Sequence, residues 1–263
     1  MNKIPLFGIL LLVACNDNEK EIQPVKQIVS QEAQLKNDVS RYPDSLLLLE
    51  NLVQYYRENM NYDQALVTVN NALHKDSNDS RLWDIKGTLH YEDGDTVKAI
   101  RSFEKAIDIS PEPVIIISLA ALYAQLKNPK ALYLADALLI GDRAKAAKEA
   151  FFIKGLYYSN INDKKKAISF FDKSLQENYT FMDAYREKAQ ALYDLGKYKE
   201  ALSVLDKAVT LQNNYEEGYY YRGRCLEKLN RVKEAIDSYQ MALMYDPGYI
   251  EASEALAKLG IKN

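Results

Sequence analysis

Glycine and proline are scarce: ten and seven in 263 residues. A β-sandwich or a loop-rich α/β enzyme uses both freely in its turns, so helices are favoured from the start. Two cysteines and two histidines cannot build a Cys/His zinc site of the usual spacing, and His74 and His90 lie too far apart in sequence for one helical face, so no metal site is expected. Charge of one sign is lacking too. With 34 Lys+Arg against 37 Asp+Glu, no uniform field exists to hold a nucleic acid backbone, and no nucleic acid partner is expected. Gly-x-Ser-x-Gly, a phosphate-cradling glycine loop, His-Glu-x-x-His and a Cys beside a His are all missing, which points away from an enzyme and from a bound cofactor. What the chain does have is 48% hydrophobic and 27% charged residues, the balance of a sequence that can bury a core.

The first residues read as an address. Lys3 precedes a mostly apolar run, Ile4 to Val13, that is far shorter than the ~20 residues needed to span a bilayer, as in the hydrophobic region of a signal peptide over residues 1–14. No later apolar run approaches spanning length. The run ends in Leu12-Val13-Ala14-Cys15, which resembles the bacterial lipobox. That resemblance implies a lipoprotein: diacylglyceryl transfer to the Cys15 thiol, cleavage before Cys15 and acylation of the new amino terminus. At ~0.8 kcal/mol per buried CH₂, two or more acyl chains would anchor the protein permanently. Residues 15–24, polar and acidic from Asn16 to Glu21 and closed by Pro24, then form a solvated tether. The expected location is the bacterial cell envelope, anchored in the outer membrane on its periplasmic or surface face.

Beyond the tether the chain repeats with a period of 34. Ala65, Ala99, Ala167, Ala201 and Ala235 share one column; Val69, Phe103, Phe171, Leu205 and Tyr239 follow four residues on, and Ala72, Ala106, Ser174, Ala208 and Ala242 seven on. Counting slots from residues 46, 80, 114, 148, 182 and 216, slot four holds Leu49, Trp83, Phe151, Tyr185 and Tyr219, and slot eight Val53, Gly87, Gly155, Ala189 and Gly223. Small residues in slots eight and twenty let two antiparallel helices approach, and large ones in slots four, eleven and twenty-four fill the space around them. Slot fifteen, with Met60, Gly94, Asn128, Asn162, Gly196 and Asn230, marks the turn, because five of these six tolerate a left-handed backbone. Pro111 and Pro247 in slot thirty-two end the second helix.

This pattern resembles the tetratricopeptide repeat (TPR). The resemblance implies an all-α solenoid, residues 25–263, of about six helix-turn-helix repeats at 46–79, 80–113, 114–147, 148–181, 182–215 and 216–249. Each end needs a closing helix. Ile250 to Ile261, with Ala252, Ala255, Leu256 and Leu259 on one face, supplies one; Val25 to Arg41, with Ile28, Leu35 and Val39, supplies the other. The third repeat is degenerate: Tyr133 stands where Ala is expected and Ala137 where the aromatic is expected. Either large and small are exchanged at similar volume, or the register slips by two so that Ala131 takes the small role. Gly141 would end its second helix early, and Arg143 to Ala150 would lengthen the next helix by about a turn.

The resemblance also implies a groove lined by slots two, five, nine, twelve and thirteen of the first helices. Here these include Tyr91, Arg186, Gln190, Tyr193, Tyr220 and Arg224. Tyr and Arg dominate binding hot spots, so the last two repeats are the candidate contact surface for a protein or peptide partner. TPRs that clamp a terminal carboxylate need Asn in slot nine; Gln54, Thr88, Leu122, Leu156, Gln190 and Arg224 depart from that. Tyr56, Tyr158, Tyr185, Tyr219 and Tyr239 are expected in the core, Cys225 as a small buried thiol, and Glu216-Glu217 and Lys164-Lys165-Lys166 as solvated faces. The function expected is a lipid-anchored adaptor between the envelope membrane and a partner; the alternative is a glycan or peptidoglycan binder that stacks sugars on exposed tyrosines.

Overall fold

The computed structural model describes residues 30–141 and 143–261. Cys15, the tether and the start of the expected amino-terminal helix lie outside the described residues. Those described form fourteen helices, α1 (Gln31–Arg41), α2 (Leu46–Glu58), α3 (Tyr62–Lys75), α4 (Ser80–Glu92), α5 (Thr96–Ile109), α6 (Pro113–Gln125), α7 (Lys130–Gly141), α8 (Arg143–Asn160), α9 (Lys164–Glu177), α10 (Met182–Asp194), α11 (Tyr198–Leu211), α12 (Glu216–Lys228), α13 (Val232–Tyr245) and α14 (Ile250–Lys258), with no strand among them. Each helix packs on the next in sequence, and first helices also touch each other, α6 with α8, α8 with α10 and α10 with α12. The hairpins therefore stack side by side, with the first helices sharing one face.

Local chemistry sets the helix ends. Asn61, Asp95 and Asp163 each accept a backbone N–H two or three residues into the helix that follows, satisfying a donor that the helix itself cannot. Left-handed residues close the first helices at Met60, Gly94, Lys127, Asn162, Gly196 and Asn230. In the third repeat the turn residue is Lys127 and not Asn128, whose side chain instead accepts the N–H of Lys130 at 3.0 Å and starts α7. At the carboxyl end α14 stops at Lys258, three residues before Ile261, because Gly260 turns left-handed at φ 79° and Ile261 donates back to the Leu256 carbonyl.

The contact between paired helices is a size exchange. A Cβ on Gly87 would lie 2.7 Å from the Phe103 ring, one on Gly155 2.4 Å from Phe171, and one on Gly223 2.5 Å from Tyr239. Where slot eight is larger, slot twenty-four is smaller: Val53 with Val69, and Ala189 with Leu205, all buried. The summed volume is held within each repeat.

The third repeat slips. Its first helix runs one residue early, which puts Ala120 and Tyr123 in the slots of Val53 and Tyr56. Its second helix runs two early: Ala131, Ala135 and Leu138 are buried, whereas Tyr133 is 74% exposed and Ala137 points to solvent. Large and small are not exchanged. An ion pair corroborates the shift of two: Lys154 meets Asp136 at 2.5 Å, as Lys188 meets Asp172 at 2.6 Å and Arg222 meets Asp206 at 2.7 Å one and two repeats later. Gly141 is the last residue of α7, and the eighteen-residue α8 restores the lattice by Gly155.

Candidate functional site

Side chains bridging consecutive first helices define the shared face. Glu50 accepts from Arg81 at 2.6 Å, Arg57 pairs with Glu92, Tyr91 donates to Gln125 at 3.1 Å, Arg186 pairs with Glu217 at 2.8 Å, and Arg224 donates to Gln190 at 3.2 Å. The slot-five to slot-two tie occurs near both ends with opposite polarity, acid to base in Glu50–Arg81 and base to acid in Arg186–Glu217.

Four of the six expected groove residues, Gln190, Tyr193, Tyr220 and Arg224, come together on α10 and α12. Arg224 is their centre: its guanidinium carbon lies 4.7 Å from the Tyr193 ring, 5.4 Å from Tyr221 and 5.8 Å from Tyr220. Tyr193 meets Tyr198 edge-on at 5.0 Å, while Tyr220 lies 5.3 Å from Tyr249 and 5.9 Å from the buried Tyr239. Gln190 both accepts from Arg224 and donates to Asp194 at 2.6 Å. Burial works against the charge on Arg224, but the phenol oxygens of Tyr220 and Tyr193 outweigh it and its pKa is raised. Burial also raises the pKa of Tyr220 and Tyr221, so both rings stay neutral. The result is a half-exposed cation held by aromatic walls before any ligand arrives.

Arg186 stands differently. Beside Glu217 it also meets Asp183 at 3.1 Å and Glu187 at 3.4 Å. Burial opposes its charge and these carboxylates more than offset that, so it is a tie between helices. Glu217 also accepts from Tyr215 at 3.4 Å and is not a solvated face; nor is Lys164, which pairs with Asp194 at 2.8 Å. Tyr91, 44% exposed, lies apart on α4, at a cavity of about 300 Å³ with Thr88, Ser118, Leu122 and Gln125 on its walls. Of the tyrosines expected in the core, Tyr56, Tyr185 and Tyr239 are buried. Tyr158 and Tyr219 remain half-buried, stacked on Phe170 at 5.3 Å and on Tyr245 at 5.7 Å. Cys225 is 1% exposed and burial pushes its thiol up to about 11. Sequence reasoning missed Tyr221; the run Tyr219-Tyr220-Tyr221 was its signal.

Comparison with known proteins adds the lineage. The family model described as tetratricopeptide repeat matches residues 50–112, and that described as anaphase-promoting complex, cyclosome, subunit 3 matches 124–208 and 161–242. A solved tetratricopeptide repeat protein from Parabacteroides merdae superposes with a TM-score of 0.69 at 20% identity, covering 86% of this chain and 90% of that one. The chain is a tetratricopeptide repeat protein. Two further solved folds resemble this TPR protein: PilW, described as a widely conserved type IV pilus biogenesis factor (TM-score 0.66, 18% identity, 80% of this chain and 97% of that one), and a thermophilic TPR protein from Thermus thermophilus (0.57, 19%, 68% and 97%). Comparison with curated sequences finds no match. A TPR solenoid is a scaffold for protein–protein interaction.

Proposed function

We propose that this TPR protein is a lipid-anchored adaptor: Cys15 holds it to a bacterial envelope membrane, and the first-helix face of the last two repeats seats a segment of a protein partner. The observation that carries the reading is the Arg224 guanidinium, half exposed and pre-positioned by Tyr193, Tyr220, Tyr221 and Gln190. Arg and Tyr anchors of this kind concentrate binding energy, and a guanidinium already fixed loses little rotamer entropy on contact. The tyrosines here are engaged with each other and with Arg224, which suits a walled pocket for a side chain more than a free ring for a sugar. The role requires no catalytic step. The leader supports the tether: an apolar run followed at once by Leu12-Val13-Ala14-Cys15.

A photo-crosslinking residue placed at Tyr220, and separately at the exposed Lys199 on α11, tests the surface in intact cells. The expected result is one discrete protein adduct from position 220 alone, reduced at least ~10-fold by Arg224→Ala. Equal adducts from both positions would overturn the groove assignment. Cys15→Ser should shift the protein from the membrane to the soluble fraction; if the mature amino terminus carries no fatty acid by mass spectrometry, the anchor is wrong and the groove stands.

A further inference from the structure

Lys86 lacks a partner that the basic residue of the same slot has in each of the last three repeats. In slot seven Lys154, Lys188 and Arg222 each meet a carboxylate of the preceding second helix, Asp136, Asp172 and Asp206. For Lys86 the matching position, slot twenty-five of the first repeat, is Asn70. Its ammonium lies 4.8 Å from the Trp83 ring, and burial lowers its pKa. Beside it, a cleft of about 320 Å³ opens between α4 and α5, lined by Trp83, Lys86, His90, Lys98, Arg101 and Lys105.

Four basic side chains thus share one small cleft. Lys98 pairs with Asp95 at 2.7 Å; among the described residues no carboxylate pairs with Lys86, Arg101 or Lys105. His90, 8% exposed, belongs to the same cleft, and its buried Nδ1 has no hydrogen-bond partner among the described residues. Tyr56 and Tyr123, which occupy the slot of His90 in the neighbouring repeats, both donate to a glutamate of the preceding helix, Glu32 and Glu104. The second repeat therefore has a buried polar group and clustered like charges that the described residues do not satisfy, an arrangement that costs stability unless an anion completes it. A carboxylate answers one cation. A phosphate carries up to two charges and several acceptor oxygens, and so suits a cleft whose walls bring several cations and a donor.

We propose that the cleft between α4 and α5 binds a phosphate group, free or as a small monoester, with Lys86, Arg101 and Lys105 as its cationic walls and His90 as its buried donor. The site lies off the first-helix face and is independent of the adaptor reading.

Titrating the purified protein with inorganic phosphate at low ionic strength, followed by NMR, tests it. His90 should show saturable imidazole shifts while the exposed His74, the other histidine of the chain, stays still. Arg101→Gln with Lys105→Gln should weaken binding at least ~10-fold, and Lys199→Gln with Lys233→Gln, equal in charge but elsewhere, should leave it unchanged. Asn70→Asp, which supplies the missing carboxylate without removing any ligand, should weaken it as well. Phenyl phosphate binding more tightly than inorganic phosphate would assign a monoester; the reverse would assign the free ion. Equal response of both histidines, or wild-type affinity in the Arg101/Lys105 double variant, would overturn the proposal.

Discussion

Asp84 shows how a single position can be left over when a repeat is specialised. It occupies slot five, where Glu50 and Arg186 find opposite charges on the next first helix, but its one basic neighbour, Arg81, is already paired with Glu50. Its Oδ1 is buried with no partner among the described residues, and burial, then Glu112, raises its pKa. A carboxyl with a raised folded-state pKa favours folding while protonated, below about pH 4, and that contribution is lost as pH rises through the folded value. At neutral pH the native protein therefore holds an ill-solvated charge. Asp84→Asn should raise stability at pH 7 by about 1 kcal/mol, or ~2–4 °C in melting temperature, and the gain should vanish at about pH 2.5, well below the ordinary aspartate value of ~3.9, where Asp84 is neutral in both states. Thermal melts of both proteins at the two pH values decide this; an equal gain at both would mean that charge is not the cause.

At the scale of helices, the pairing of slot eight with slot twenty-four is the rule that builds each hairpin, and it yields a cycle. Gly155→Ala drives a methyl into the Phe171 ring and should cost roughly 1–3 kcal/mol. Phe171→Leu alone leaves a void and should cost a similar amount. Together they recreate the Ala189–Leu205 pair of the next repeat, so the double variant should be more stable than the sum of the two losses allows, as chemical denaturation would show; simple additivity would refute the exchange. This rule was legible in the sequence because both partners lie in one repeat, at a fixed separation. The slip in the third repeat was legible only as one of two alternatives, because a constant period cannot register the one residue removed before α6 or the further one lost at Asn128-Pro129. The burial of Ala131 and Ala135 and the Lys154–Asp136 pair decide for the slip. The groove was legible to the same depth. Slot arithmetic found Gln190, Tyr193, Tyr220 and Arg224, yet it could not tell that Arg186 would be consumed by Glu217 or that Tyr221 would wall Arg224, since those contacts depend on how far each helix is rolled against the next.

Across the whole molecule, cohesion passes from neighbour to neighbour. One cluster of buried residues runs from Leu49 to Leu89, another from Ala99 to Ile153 and a third from Ala189 to Leu256, and Trp83 packs against the first two. Such a stack behaves as a one-dimensional array, in which an end repeat can open while the other end stays folded. Helix α14 closes the carboxyl end by burying Ala252 and Leu256 completely against a cluster that includes Leu226, Tyr239 and Ala242. Leu256→Asp places an unpaired charge in that contact and should remove on the order of 3 kcal/mol of local stability. Amide exchange should then quicken in α12, α13 and α14, where Tyr239 and Tyr249 lose their cover, while α2 to α5 keep wild-type protection. The Arg224 cluster sits on the weakened end, so crosslinking from position 220 should fall in the same variant although no groove residue has changed. The cleft between α4 and α5 should keep its phosphate affinity, since the second repeat lies beyond the reach of the fraying. Exchange that quickens evenly from α2 to α14 would show that the solenoid opens as a single unit, and the groove and the cleft would then have to be lost together.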